Sequence, residues 1–199
     1  PKGAEKLIGR ELPADDEYID ILISILKNSI NAHPQIIGQA HNAKDLEENR
    51  KAGRISAFLT IEDGRSVEGK LEKLEDYYQK GIRLISLTWN APNCFGFPNS
   101  ADEAVRNKGL TAFGKEAVDY MDELGILTDV SHLSDGGFYD VADICRGPFI
   151  ASHSNCRELT NHPRNLTDDM IKTLADKGGI AGVNFGAEFL NDKMGRKIS

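Results

Sequence analysis

Two histidines and one glutamate stand at matching places in this chain. The runs 55–62 (ISAFLTIE), 125–132 (GILTDVSH) and 148–153 (PFIASH) each begin at or just after a glycine, and they end in Glu62, His132 and His153. Two imidazoles and a carboxylate form a common catalytic zinc complement. If each run is a buried strand, the three side chains meet at one rim of a parallel sheet, where an α/β barrel gathers its active site. The chemistry to expect is metal-dependent hydrolysis.

Each residue also has a plainer reading. An acid ending a buried strand serves as a turn or capping group unless a cation solvates it. A lone strand-end histidine is often a hydrogen-bonded core residue. The coincidence of three ligand types at three neighbouring strand ends favours the metal. Alternation along a strand would put Asp129 and Ser131 on one side, with Val130 and His132 on the other. His33 and His41 sit in polar, turn-rich stretches and read as surface residues, and His162 is a loop histidine whose role stays open. Arg164 follows the His153 run. It is either a solvated rim charge or a group that grips a carboxylate through paired hydrogen bonds.

The elements that must carry these residues follow one pattern, a helix, a glycine, then a short apolar strand. Gly53, Gly81, Gly125, Gly147 and the Gly178-Gly179 pair precede five such strands. Glycine suits the position just beyond a helix because the chain turns there through positive φ. Between the strands, Ile19, Leu22, Ile23, Leu26 and Ile30 fall on one helical face. So do Val67, Leu71, Leu74 and Tyr78, and so do Phe113, Ala117, Tyr120, Met121 and Leu124. Phe138, Val141, Ala142 and Cys145 form a shorter stripe behind Ser134, a candidate N-cap, and Thr167 is another. Strands alternating with helices imply an α/β fold with a parallel sheet. A closed (β/α)8 barrel needs eight strands, and about five are visible here. The long irregular stretch 90–109 follows a strand end, the place where functional loops sit in such folds.

The chain has 199 residues, 40% hydrophobic and 28% charged, enough for one globular domain. A net charge of −7 with no basic patch argues against nucleic acid as a partner. No apolar run reaches the ~18 residues of a membrane helix. Three cysteines without CxxC spacing argue against a disulfide framework, and a reducing, cytoplasmic setting is the default expectation.

Longer motifs around these residues match a known family. DVSHLSD (129–135), PFIASHSNCRELTNHPRNLTDDMI (148–171) and GGIAGVNF (178–185) resemble the membrane (renal) dipeptidases, zinc hydrolases of the amidohydrolase-type barrels. IEDG (61–64) resembles the family's strand-end glutamate motif, and GLTAFGKEAVDYMDELGI (109–126) its connecting helix. The resemblance covers about residues 55 to 185. It implies a (β/α)8 TIM-type barrel in which a glutamate bridges two zinc ions and a metal-bound hydroxide attacks a dipeptide carbonyl. Carried over by motif, Glu62 is the bridging ligand, and His132 and His153 complete one metal's ligands. Arg164 holds the substrate carboxylate or orients its peptide group. Dipeptides, including those with a D-residue in the C-terminal position, are the implied substrates. Relatives are commonly homodimers, which makes a second copy a candidate partner.

The chain departs from the family pattern in places. The family's first metal is also held by a His-x-Asp pair, and this sequence contains no such triplet. A further family aspartate, late in the barrel, is expected beyond Ser199. Residues 1–199 then read as one domain, the central portion of a barrel with its first and last strands absent, binding about one zinc. Where many relatives carry a substrate-contacting histidine, this chain has Trp89, which can wall a pocket. The alternatives are an inactive or associating fragment of the family, and another amidohydrolase-type amide or lactone hydrolase.

Overall fold

The structure, a computed structural model, describes residues 13–191. They group into two compact units that divide between Leu59 and Thr60. In the first unit, helix α1 (Asp15–Ala32) leads to strand β1 (Ile37–Gln39), helix α2 (Ala43–Lys51) and strand β2 (Ile55–Ala57). β1 and β2 pair in parallel, Ile37 opposite Ile55. Asn42 caps α2 by accepting from the Asp45 amide at 3.0 Å. Asn49, buried, donates from Nδ2 to the Gly38 carbonyl and to Ser56 Oγ, both at 3.1 Å, which fastens the helix across both strands. The apolar face expected of α1 forms only in part, with Ile23 buried and Leu22 exposed. His33 and His41 are exposed, as their polar surroundings predict.

The second unit opens within strand β3 (Leu59–Glu62), at Thr60, followed by a single 3-10 turn (Gly64–Val67) and helix α3 (Leu71–Lys80). Strand β4 (Ile82–Ser86), the short helix α4 (Glu103–Arg106) and helix α5 (Ala112–Leu124) come next. Then follow β5 (Leu127–Asp129), α6 (Asp135–Ile144), β6 (Ile150–Ala151), α7 (Asp168–Asp176), β7 (Ile180–Ala181) and α8 (Ala187–Leu190). The sheet order is β3-β4-β5-β6-β7, and β4 to β7 run parallel. Strands that neighbour one another in chain order, with helices in the connections, are the repeat of a (β/α)8 barrel. Ser86 lies opposite Asp129, Asp129 opposite Ile150, and Ile150 opposite Ile180, so one level runs across four strands.

Local sequence accounts for these elements. Thr111, Ser134 and Thr167 each accept a backbone N–H three residues on, capping α5, α6 and α7. Gly81 and Gly125 close α3 and α5 at φ 100° and 81°, a conformation that a Cβ would resist. The core between sheet and helices holds Leu74, Tyr77, Ile82, Ile85, Met121, Val118 and Phe138, with Phe138 edge-on to Phe149 at 5.5 Å. The buried tyrosine of α3 is Tyr77, and Tyr78 only flanks the core.

Two strand expectations need correction. Residues 55–62 do not form one strand. The run breaks at Phe58, its first part pairing with β1 and its second belonging to the five-stranded sheet. The pairing of Ala40 N–H with the Ala57 carbonyl at 2.8 Å commits the first part to β1, which has no strong signal in the sequence. The strand-wise alternation expected for 129–132 also stops early. β5 ends at Asp129; the Val130 amide still donates to the Ile150 carbonyl of β6 at 2.8 Å, and Ser131 and His132 form the turn that follows.

Candidate metal centre

Glu62, His132 and His153 converge. Glu62 Oε1 lies 3.5 Å from His132 Nε2 and 3.4 Å from His153 Nε2, and the two Nε2 atoms are 3.0 Å apart. Bonds of about 2.0–2.1 Å at tetrahedral angles separate two zinc ligands by about 3.3 Å. The three spacings bracket that value, and the circle through the three atoms has a radius of about 1.9 Å, just inside a zinc–ligand bond. Among the described residues this is the one group of three histidine, cysteine or acidic side chains close enough to share an ion.

Each ligand is delivered differently. Glu62 is the last residue of β3, and the chain leaves it through Asp63 at φ 75°. Asp63 is pinned by its amide donating to Ser86 Oγ at 3.1 Å and by Asn93 Nδ2 donating to its Oδ1 at 2.9 Å. His132 lies three residues beyond β5, in a turn at φ 72°. A non-glycine residue in this region is strained and persists only where its surroundings hold it. Here the His132 carbonyl accepts from the Asn99 amide at 2.7 Å, Asn99 Nδ2 at 3.1 Å and Thr88 Oγ1 at 3.3 Å. The stretch 90–109 thus secures both the Asp63 and the His132 turns. His153 lies two residues beyond β6, with its amide donating to Ser131 Oγ at 3.0 Å.

The protonation states suit a cation. His132 is 9% exposed, and burial, with the Arg164 and His153 charges adding to it, pushes its imidazole down to about 3. It is neutral at ordinary pH, as a ligand must be. Its Nδ1 is buried without a hydrogen bond of normal geometry, although the Trp89 backbone beside it pulls weakly the other way. For His153 the tautomer follows from counting protons. Ser152 Oγ donates its single proton to Asp129 Oδ2 at 2.5 Å, since a carboxylate only accepts. The 2.7 Å contact between Ser152 Oγ and His153 Nδ1 is then an Nδ1–H donation. The lone pair of His153 Nε2 faces Glu62 and His132. Asp129 is 2% exposed, and its Oδ1 accepts the Ser131 and Ser152 amides at 2.9 Å each. A metal-binding histidine oriented by a hydrogen-bonded neighbour of this kind is the usual arrangement.

Asp129 and Ser152 carry this orientation, yet neither was singled out from sequence. The signal available was the Asp-x-Ser-His spacing beside Ser-His, which gains meaning only when β5 and β6 are known to be neighbours. Of the other candidates, Trp89 is 37% exposed with its ring tilted 46° to His132 at 6.2 Å between centroids. Arg164 is 8% exposed, and its guanidinium makes one long hydrogen bond, from Nη2 to the His153 carbonyl at 3.5 Å. Burial pushes that guanidinium down to about 10 against the pull of Asp129 and Glu62, so it remains a cation at neutral pH. It shares a crevice with His132, Leu133, Phe138 and Pro163. Cys94, Cys145 and Cys156 are all free thiols, and burial pushes the Cys145 thiol up to about 11.

The profile of the membrane dipeptidase family, peptidase family M19, matches residues 17–199. The chain belongs to that family. A protein from the pqqA 5′ region of Klebsiella pneumoniae is 35% identical over 181 residues, covering 86% of this chain and 66% of that protein. An uncharacterized dipeptidase of Schizosaccharomyces pombe is 37% identical over 142 residues, 71% of this chain and 34% of its own length. Among solved structures, the probable dipeptidase PvdM of Pseudomonas aeruginosa superposes with a TM-score of 0.76 at 26% identity, covering 82% of this chain and 42% of that one. A Rhodobacter sphaeroides metallo peptidase, liganded with a phosphinate mimic of the dipeptide L-Ala-D-Ala, gives 0.76 at 29% identity over 85% and 49%. The chain thus spans between a third and two thirds of the length of these relatives. M19 membership makes the chain part of a metallopeptidase family, and the α/β fold with parallel strands is shared with its solved members. No helix among the described residues is long and apolar enough to cross a membrane.

Proposed function

We propose that this chain carries the Glu62–His132–His153 zinc site of a dipeptidase and the carboxylate receptor beside it, as the central portion of one hydrolase barrel. The observation that supports this reading most strongly is the 3.0–3.5 Å triangle of ligand atoms, with His153 Nδ1–H donating to Ser152 and its Nε2 turned into the triangle. When bound there, zinc would lower the pKa of a water toward about 7 and polarise the peptide carbonyl. Glu62, whose side chain is open to solvent, uses Oε1 toward the histidines, and its second oxygen is the group that would bridge to another ion. Neutral His132 and the Nε2 of His153 would supply lone pairs, and Asp129 with Ser152 keeps His153 aimed. Arg164, a buried cation with unfilled donors, fits the C-terminal carboxylate of a dipeptide, and Trp89 walls the same side of the site as His132. A dipeptide of the L-Ala-D-Ala type is the substrate class that the liganded Rhodobacter relative suggests.

The test is elemental analysis of the purified chain together with a dipeptide hydrolysis assay. Three protein ligands account for about one zinc per chain, with turnover much below that of a complete two-zinc site. No bound metal at neutral pH with ample zinc would overturn the ligand set, and full dipeptidase turnover would overturn the single-ion reading.

A second reading rests on β7. It is the last strand in the sheet order, and Ile180, Val183 and Phe185 near it are exposed, Phe185 to 86%. Such an edge is adhesive. It suits either a following βα unit or a second copy of the chain. Size-exclusion chromatography at rising concentration separates the two, since a monomer at every concentration contradicts the homodimer.

A further inference from the structure

An ion pair outside the ligand triangle links its two sides. Arg157 meets Asp135 through a two-pronged contact, Nη1 to Oδ2 at 2.6 Å and Nη2 to Oδ1 at 2.8 Å. The rest of the guanidinium is turned the other way. Nε donates to the Asn165 carbonyl at 2.8 Å, and Nη2 also reaches the Pro163 carbonyl at 3.2 Å. Those two carbonyls flank Arg164 in sequence. The same loop is closed at its base by the Arg157 amide donating to the Leu166 carbonyl at 2.7 Å. Asp135, for its part, is three residues from His132 and sits in the first turn of α6, where a negative charge is favoured. Both partners line the crevice that His132 and Arg164 share.

We infer that Arg157 and Asp135 are positioning residues that set the Arg164 guanidinium at a fixed distance from the metal-binding turn. Neither need touch substrate. Asp135 anchors on the segment that bears His132, and Arg157 carries the anchor to the backbone on both sides of Arg164. Only a planar fork can bond a carboxylate side-on and two carbonyls at once. Lysine keeps the charge and loses that geometry. Arg106 Nε also approaches Asp135 Oδ2 at 3.6 Å without sharing the two-pronged contact, so the carboxylate faces two cations and this corner of the crevice keeps a net positive charge. The inference rests on the reading of Arg164 as the carboxylate receptor, and its consequence is selective. Loosening the clamp should weaken recognition of a free C-terminal carboxylate and leave zinc binding alone, since neither Arg157 nor Asp135 contacts a ligand side chain.

The single tryptophan makes this measurable without turnover, because Trp89 lies beside His132. The zinc-loaded chain is titrated with L-Ala-D-Ala and with its C-terminal amide, reading the initial change in Trp89 fluorescence. The native chain should bind the acid at least tenfold more tightly than the amide. Arg164→Lys should abolish that preference. Arg157→Lys and Asp135→Asn should each weaken binding of the acid about tenfold, leave binding of the amide and the zinc content unchanged, and retain the native circular dichroism. Native preference for the acid in both Arg157→Lys and Asp135→Asn, alongside its loss in Arg164→Lys, would overturn the positioning role and spare the receptor. Equal binding of acid and amide by the native chain, or none of either, would overturn the receptor reading and this inference with it. Loss of fold in both clamp variants would show that the pair supports the structure at large, and would equally overturn a selective role.

Discussion

Arg164→Met should make this protein more stable and a worse binder. Arg164 is nine-tenths buried, with one long hydrogen bond at 3.5 Å, and burial lowers its guanidinium well below the usual arginine range, to about 10. At about 1.4 kcal/mol per unit, keeping that charge inside costs the fold up to about 3 kcal/mol at neutral pH. The sign is unambiguous. The unfolded chain holds its arginine proton more tightly than the folded chain does, so the cost is present at every pH below about 10. Residual solvent screening reduces it to about 1–3 kcal/mol. Methionine keeps the unbranched stem while removing the charge, together with the 5.7 Å approach of the guanidinium carbon to the Phe189 ring centroid. At about 2–4 °C per kcal/mol for a chain of this size, Tm should rise by roughly 2–12 °C. Differential scanning calorimetry of the metal-free chain reads the shift, and a binding titration with L-Ala-D-Ala reads the loss. A fall in Tm would refute the reasoning, because it would mean that the guanidinium earns its place by supporting the fold.

Ser152→Ala and Asp129→Asn should each weaken zinc binding by about 10–100-fold, the usual effect of losing the partner of a ligating histidine. Competition against a chromophoric chelator measures this, and unchanged affinity would show that His153 needs no help in presenting Nε2. The metal-free chain should lose stability as pH falls from about 6.5 toward 3, by up to about 1.4 kcal/mol per unit from His132 alone. His132 stays neutral in the fold over that range while the unfolded chain takes up a proton. Above pH 6.5 the group contributes no slope. Urea midpoints at a series of pH values report the trend, and a flat profile between pH 6 and 4 would contradict it.

The sheet was legible because its signals are local. Glycine at the ends of α3 and α5, threonine and serine caps, and short apolar runs mark the elements one by one. The division of 55–62 was hidden, since only pairing with β1 separates Ala57 from Leu59. The types and order of the three candidate ligands were also legible, and the structure brings them together. Their delivery was not. His132 and His153 sit in turns past their strands, and the φ of 72° at His132 depends on Asn99, more than thirty residues earlier. Asp129 and Ser152 act through each other across two strands. Arg157 stood inside a quoted motif without a role, because its partners Asp135, Pro163 and Asn165 converge only after α6 and the loop after β6 have packed.

Anomalous diffraction at the zinc absorption edge, on crystals grown with zinc at neutral pH, tests the convergence of Glu62, His132 and His153 most directly. One strong peak about 2.0–2.2 Å from Glu62 Oε1 and from both Nε2 atoms is the expected result. An absent peak, or zinc held elsewhere while the three side chains keep their places, would contradict it.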